Sequence, residues 1–238
     1  RQFEFEVACG GDIYPLPELS VNFPFGEEGA CPAKKELRIA RRADCVPAQS
    51  LPVIDGNIDE DVWRSAYGSL LCGEGKPSKV DSSEFYFAYD ADNLYLAVVC
   101  YETKMDSIIA NMTEHDDAIY AEDCVGFLYR PKAPEDAIYQ LYVNPIGTTF
   151  DQKITQASDG YWVDDQLWNG DYEVATSRGD GTWQVEVRIP LDQFGARAEA
   201  AMEWDFNFRR KQRRLNDAGG WQIPHSYDPN GFGKLTFR

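Results

Sequence analysis

Two stretches set aromatic rings beside carboxylates and amides, the side-chain mixture that can hold a polyhydroxyl ligand. Residues 114–123 read EHDDAIYAED and carry Tyr120, Glu122 and Asp123. Residues 219–233 read GGWQIPHSYDPNGFG and carry Trp221, Tyr227 and Asn230. A sugar ring packs its C–H face on an aromatic ring, and its hydroxyls need a few placed polar groups. A third stretch at 157–171, ASDGYWVDDQLWNGD, adds Trp162 and Trp168. It is acidic and turn-rich, and it reads as a long loop, the kind of segment on which binding residues concentrate.

Covalent chemistry finds little support. The two histidines, His115 and His225, stand in separate loop-like stretches. No G-x-S-x-G elbow, H-E-x-x-H pair or phosphate-cradling P-loop occurs. The expectation is a chain that is not an enzyme. Haem would have to draw on Met105, Met112, Met202, His115 or His225. Neither haem nor a nucleotide cofactor is expected. Calcium is the one cofactor expectation, as a structural ion, because DADN at 90–93 and VDD at 163–165 supply hard oxygen ligands. No metal position is assigned.

The elements that must carry these residues read as strands. Glu84–Asp90 and Asn93–Tyr101 are aromatic and β-branched runs joined by the tight turn DADN. Asp123–Arg130 and Ala137–Pro145 follow, and Asp171–Arg178 joins Thr182–Ile189 through GDG. Along the last run Trp183, Val185, Val187 and Ile189 face one way and Gln184, Glu186 and Arg188 the other. Glu203–Arg210 repeats the alternation with Trp204, Phe206 and Phe208 inward, and Lys234–Arg238 closes the chain. Short helices are expected only at 59–67 and near 190–195. In the first of them Asp59 would cap and Ile58 would staple Trp63 to a core. The pattern predicts an all-β antiparallel sandwich of jelly-roll type over residues 51–238. Residues 1–50 are rich in proline and cysteine and read as an irregular arm over it, with Glu36–Arg41 as a candidate first strand.

The bulk composition narrows the partners. The 238 residues carry a formal charge of −17, which repels nucleic acid and anionic lipid and leaves neutral ligands and cations. No apolar run approaches the roughly 18 residues of a membrane span. A chain that begins at Arg1 reads as a processed, secreted, periplasmic or surface protein. Six cysteines without a CxxC pair fit a disulfide such as Cys9–Cys31 better than a zinc ribbon. Cys100 and Cys124 lie inside strand runs, where buried thiols fit equally well.

Seven blocks in order resemble the family 9 carbohydrate-binding modules: VIDGNIDEDVW, FAYDADNLYLAVVCYE, EDCVGFLYRP, YQLYVNPIGTTFD, GTWQVEVRIPLDQFG, WDFNFRR and FGKLTF. The resemblance covers about residues 51–238. It implies a sugar-binding β-sandwich, often with calcium, that clamps a sugar end between two aromatic rings. One clamp position falls at Tyr120, and Tyr227 is nearest the other. Trp162 and Trp168 are further candidate platforms, and Glu122, Asp123, Asn144 and Arg209 are candidate hydroxyl partners. Arg209 is chosen because it points away from the Trp204/Phe206/Phe208 face. The family's strand Glu is replaced here by Gly126, and its Arg near Tyr142 is missing. These departures motivate an alternative, an assembly subunit that has lost sugar binding and meets other subunits through residues 1–50.

Overall fold

The computed structural model describes residues 40–228 and 231–238. Apart from four single 3-10 turns, the regular elements of the described chain are strands: β1 (Arg42–Pro47), β2 (Ser83–Tyr89), β3 (Asn93–Tyr101), β4 (Cys124–Arg130), β5 (Ala137–Val143), β6 (Thr149–Gln156), β7 (Trp162–Asp165), β8 (Glu173–Arg178), β9 (Thr182–Pro190), β10 (Glu203–Gln212), β11 (Asp217–Gly220) and β12 (Gly233–Phe237). They run in the order β7-β6-β5-β4-β10-β12-β1-β2-β3-β9-β8, with β11 beside β10.

The inward alternations expected for β9 and β10 are present. Trp183, Val185, Val187 and Ile189 are all buried in the main core, with Trp204, Phe206 and Phe208. The sheet curls so that β2 faces β10. Phe85 stacks on Phe208 with ring centroids 4.7 Å apart, and Phe87 meets Phe206 edge-on at the same distance. Aromatic pairs of this kind contribute about 0.5–1.5 kcal/mol beyond their buried area.

The purely antiparallel expectation needs correction, because the sheet is mixed. β1 pairs in parallel with β12 through Arg42–Cys45 and in parallel with β2 through Val46–Pro47. No hairpin joins it to either neighbour, so no tight turn sets its direction. The last residues of the expected arm therefore form a strand in the middle of the order. Residues 36–39 of the candidate first strand, with Cys9 and Cys31, lie outside the described residues. Cys45, Cys72, Cys100 and Cys124 are free thiols, and all but Cys72 are buried.

The expected helix at 59–67 is also absent, and its donors show why. Ile58 N–H goes to Gln184 Oε1 at 2.9 Å, while Glu60 accepts both Val53 N–H and Trp63 Nε1–H. These bonds tie the segment to β9 and to itself in a single turn. Gly56 takes φ +89°, and a Cβ there would stand 2.6 Å from the Thr176 carbonyl carbon. Buried Glu186 accepts the N–H groups of Asp55 and Gly56. Trp63 is half-buried against a small cluster of Val62, Ala88 and Tyr95 rather than in the main core. The second expected helix is a single 3-10 turn at Asp192–Phe194.

Candidate functional site

The outer face of β4, β5, β6 and β10 is not a plain solvated surface. Register aligns Arg209, Gly126, Tyr142 and Phe150 in one cross-strand row, and Asn207, Leu128, Gln140 and Gln152 in the next. Residues two apart on a strand share a face, so Tyr142 follows Gln140 and Gln152 follows Phe150 on the same side. The ring of Tyr142 lies over Gly126: a Cβ there would be 2.7 Å from Tyr142 Cδ1 and closer to Cε1. The absent side chain of Gly126 is what lets this ring lie down on the sheet.

Two small apolar clusters flank the rows. Ile119, Cys124, Tyr142 and Phe150 form one, and Tyr120 stands over it, 44% exposed, with its ring edge-on to Phe150 at 5.2 Å. Lys211 Nζ donates to the Tyr120 carbonyl at 2.9 Å and holds that turn. Leu128, Ile138, Ile154 and Phe232 form the other, with Trp162 and Tyr227 packed on it. The loop after β11 is fastened by Asn207, whose amide donates to the carbonyls of Gln222 and Gly231 and whose Oδ1 accepts Gln222 N–H. Trp221 anchors the start of this loop in the main core, 3% exposed, so it is a buried anchor and offers no face to a ligand.

Between the clusters lies an open cleft of about 770 Å³. Tyr120, Trp162, Tyr227 and Arg209 all line it, so four of the sequence-predicted positions come together. Gln140, Gln152, Gln166, Asp164 and His225 complete much of its lining. Gln152 Nε2 donates to Gln140 Oε1 at 2.6 Å and to Tyr227 Oη at 3.1 Å. Burial raises the Tyr227 phenol, so it stays protonated and keeps a hydrogen to give. Burial, with the Arg209 charge, lowers His225 to about 4 and keeps its imidazole neutral at pH 7. Three buried polar atoms of the lining residues have no hydrogen-bond partner: Gln152 Oε1, His225 Nε2 and Ser226 Oγ. Each such atom costs about 1–3 kcal/mol unless water or a ligand meets it.

The other predicted positions serve the fold and are not in the cleft. Glu122 is buried and accepts Asn111 N–H and Met112 N–H, at 2.9 and 3.2 Å from Oε2. Asp123 is buried and accepts Ile109 N–H and Arg213 N–H. Asn144 is fully buried, donates to the Met112 carbonyl and accepts Ile146 N–H and Thr148 N–H. Trp168 packs on Tyr139 at 4.9 Å, at the edge of the main core. Asn230 lies outside the described residues. The stretch 157–171 is not all loop, since it contains β7 in a hairpin with β6.

The DADN and VDD stretches lie apart, in the β2–β3 turn and in β7. Asp90 directs both oxygens to its own turn, at Asp92 N–H, Asn93 N–H, the Asn93 amide and Tyr95 Oη–H. Asp165 accepts Leu167 N–H, while Asp164 lines the cleft.

No family model matches the chain, and no curated protein does. Solved structures do. A candidate carbohydrate-binding protein from Bacteroides uniformis superposes with a TM-score of 0.65 at 16% identity, over 84% of this chain and 100% of its own. A family 9 carbohydrate-binding module from Caldicellulosiruptor kristjanssonii, in complex with glucose, superposes with a TM-score of 0.54 at 16% identity, over 83% and 96% of the two chains. The same organism's module in complex with cellotriose gives 0.55 at 16% identity, over 83% and 94%. The chain has the family 9 fold. At this identity the likeness concerns the path of the backbone, and the cleft residues stand on their own chemistry.

Proposed function

We propose that this chain is a non-catalytic carbohydrate-binding domain and that the cleft between Tyr120 and Tyr227 receives a neutral sugar. The observation that carries the reading is an open cleft in which Tyr120, Trp162 and Tyr227 stand beside the amides of Gln140, Gln152 and Gln166. A ligand dense in hydroxyls suits such a lining, because each hydroxyl both donates and accepts. Tyr120, Trp162 and Tyr227 supply rings for the C–H faces. Arg209 and Lys211 are balanced in the lining by Asp164 and Asp228, which favours an uncharged ligand over an acidic one. The neighbours solved with glucose and cellotriose support the same ligand class.

No bond is made or broken in this reading. Among the described residues no helix is long and apolar enough to cross a membrane. A sugar receptor of this type belongs where polysaccharide is met, outside the cytoplasm. Titration calorimetry against soluble neutral glycans, glucose and cellotriose included, tests it. One-site binding that falls at least tenfold in Tyr227→Ala and in Tyr120→Ala is expected. Absence of binding across the panel, or affinity untouched by both substitutions, overturns the proposal.

A further inference from the structure

We infer that His115, Asp116 and Asp151 form a binding site for a zinc-class divalent cation, on the side of β6 opposite the cleft. The ligand atoms of these residues lie within 4.8 Å of one another. His115 Nε2 is 3.5 Å from Asp116 Oδ2 and 3.4 Å from Asp151 Oδ1. Tetrahedral zinc with bonds of about 2.0–2.1 Å spaces its ligand atoms about 3.3–3.4 Å apart, so these separations need almost no adjustment.

The surroundings are arranged as a metal needs them. Thr149 Oγ1 stands 3.0 Å from His115 Nδ1 and can accept its hydrogen, which leaves the Nε2 lone pair facing the two carboxylates. Asp151 is fully buried, and its Oδ2 accepts Gly170 N–H at 2.7 Å. Its Oδ1, aimed into the cluster, is buried with no hydrogen-bond partner. A buried anionic oxygen left in this condition is costly unless a cation meets it. His115 Nε2 also stands 2.6 Å from Asn169 Oδ1, which accepts a hydrogen from it in the other tautomer of the ring. Binding exchanges that contact for the metal bond: the ring's one hydrogen passes through solvent from Nε2 to Nδ1, where Thr149 Oγ1 accepts it, and a water or the displaced Asn169 carbonyl fills the fourth position. An imidazole nitrogen with carboxylate oxygens favours zinc over calcium, which prefers an all-oxygen shell.

The ion would fasten two segments, the turn at 115–116 and β6, and with the Asn169 carbonyl as fourth ligand also the connection after β7. Asp151 is adjacent to Gln152 on β6, so the same strand presents one face to the cation and the other to the cleft. The experiment is calorimetric titration of chelator-treated protein with zinc and with calcium, paired with the absorption spectrum of the cobalt(II)-loaded protein. One zinc site is expected, with calcium at least a hundredfold weaker and a cobalt spectrum lacking thiolate-to-cobalt charge transfer. Zinc affinity should fall at least a hundredfold in His115→Ala, whose exposed side chain can be removed without disturbing the fold, and in Asp151→Asn. No zinc binding, calcium binding of equal strength, a thiolate spectrum, or zinc binding retained in His115→Ala overturns the inference. If Asp151→Asn unfolds, the His115→Ala comparison and the cobalt spectrum decide alone.

Discussion

Gly126→Ala isolates the feature on which the cleft floor depends. The added methyl would stand 2.7 Å from Tyr142 Cδ1, where carbon atoms ordinarily rest about 3.5–4.0 Å apart. The ring must therefore lift by roughly 1 Å. It has little room, because Tyr142 is 6% exposed and packs among Ile119, Cys124 and Phe150. Overpacking of this kind costs about 1–3 kcal/mol. In urea the unfolding midpoint should fall by that amount divided by the slope, with the slope unchanged. Tyr142→Ala alone should cost about 3–5 kcal/mol through the cavity it leaves. In the double variant the methyl meets no ring, so the clash disappears. A double-mutant cycle should then show about 1–3 kcal/mol of favourable coupling. Additive behaviour, or a Gly126→Ala variant as stable as the parent, would refute the claim that the missing side chain seats the ring.

Glu186 carries a pH signature. Burial raises its carboxyl from 4.5 to about 7 despite the N–H groups of Asp55 and Gly56. The folded state holds this proton more tightly than the unfolded state, so stability falls as pH rises from 4.5 through about 7. Glu186→Gln should remove that slope and gain about 3 kcal/mol on the parent between pH 4 and pH 8, read by urea unfolding; parallel curves would contradict it. Arg210, 1% exposed, donates to the carbonyls of Asp81, Ser82 and Tyr101 and pairs with Glu102 at 3.6 Å. Arg210→Met should cost about 1–3 kcal/mol in the same assay for each carbonyl it leaves without a donor, while Glu102 keeps its pair with Arg214 at 2.9 Å. Tyr227→Phe removes the acceptor for Gln152 Nε2 and should weaken sugar binding about fivefold while leaving the apolar wall in place.

Much of the framework was legible because strand alternation reports on burial directly. Trp183 to Ile189 and Trp204 to Phe208 alternate with polar residues, and both runs turn their apolar sides to the core. β6 gave no such signal: TFDQKITQ buries Asp151 and Gln152 beside Phe150 and Ile154, so its polar residues masked a strand. β7 was hidden in an acidic, largely exposed stretch, the composition of an edge strand protected by charge. The helix expected at 59–67 failed because local capping signals lost to bonds with Gln184 and Glu186, more than a hundred residues away.

The site divides in the same way. Tyr120, Tyr227 and Trp162 could be proposed because aromatics beside acids and turn residues stand out in the sequence. Gln140 and Gln152 could not, since an outward glutamine on a strand reads as solvated until a neighbouring loop covers it. Glu122, Asp123 and Asn144 misled for the opposite reason. They have the chemistry of hydroxyl partners, but backbone N–H groups at 109, 111, 112, 146, 148 and 213 claim their oxygens. Only the folded chain brings those donors within reach.

Side-chain NMR of the isotopically labelled protein, titrated with the tightest-binding neutral glycan, tests the account at its centre. The amide resonances of Gln140 and Gln152 and the indole N–H of Trp162 should shift together and yield one dissociation constant, while the indoles of Trp168 and Trp221 stay still. Shifts centred on Trp168, or a saturated complex in which the Gln152 amide has not moved, would contradict the claim that sugar lies between the two tyrosine walls.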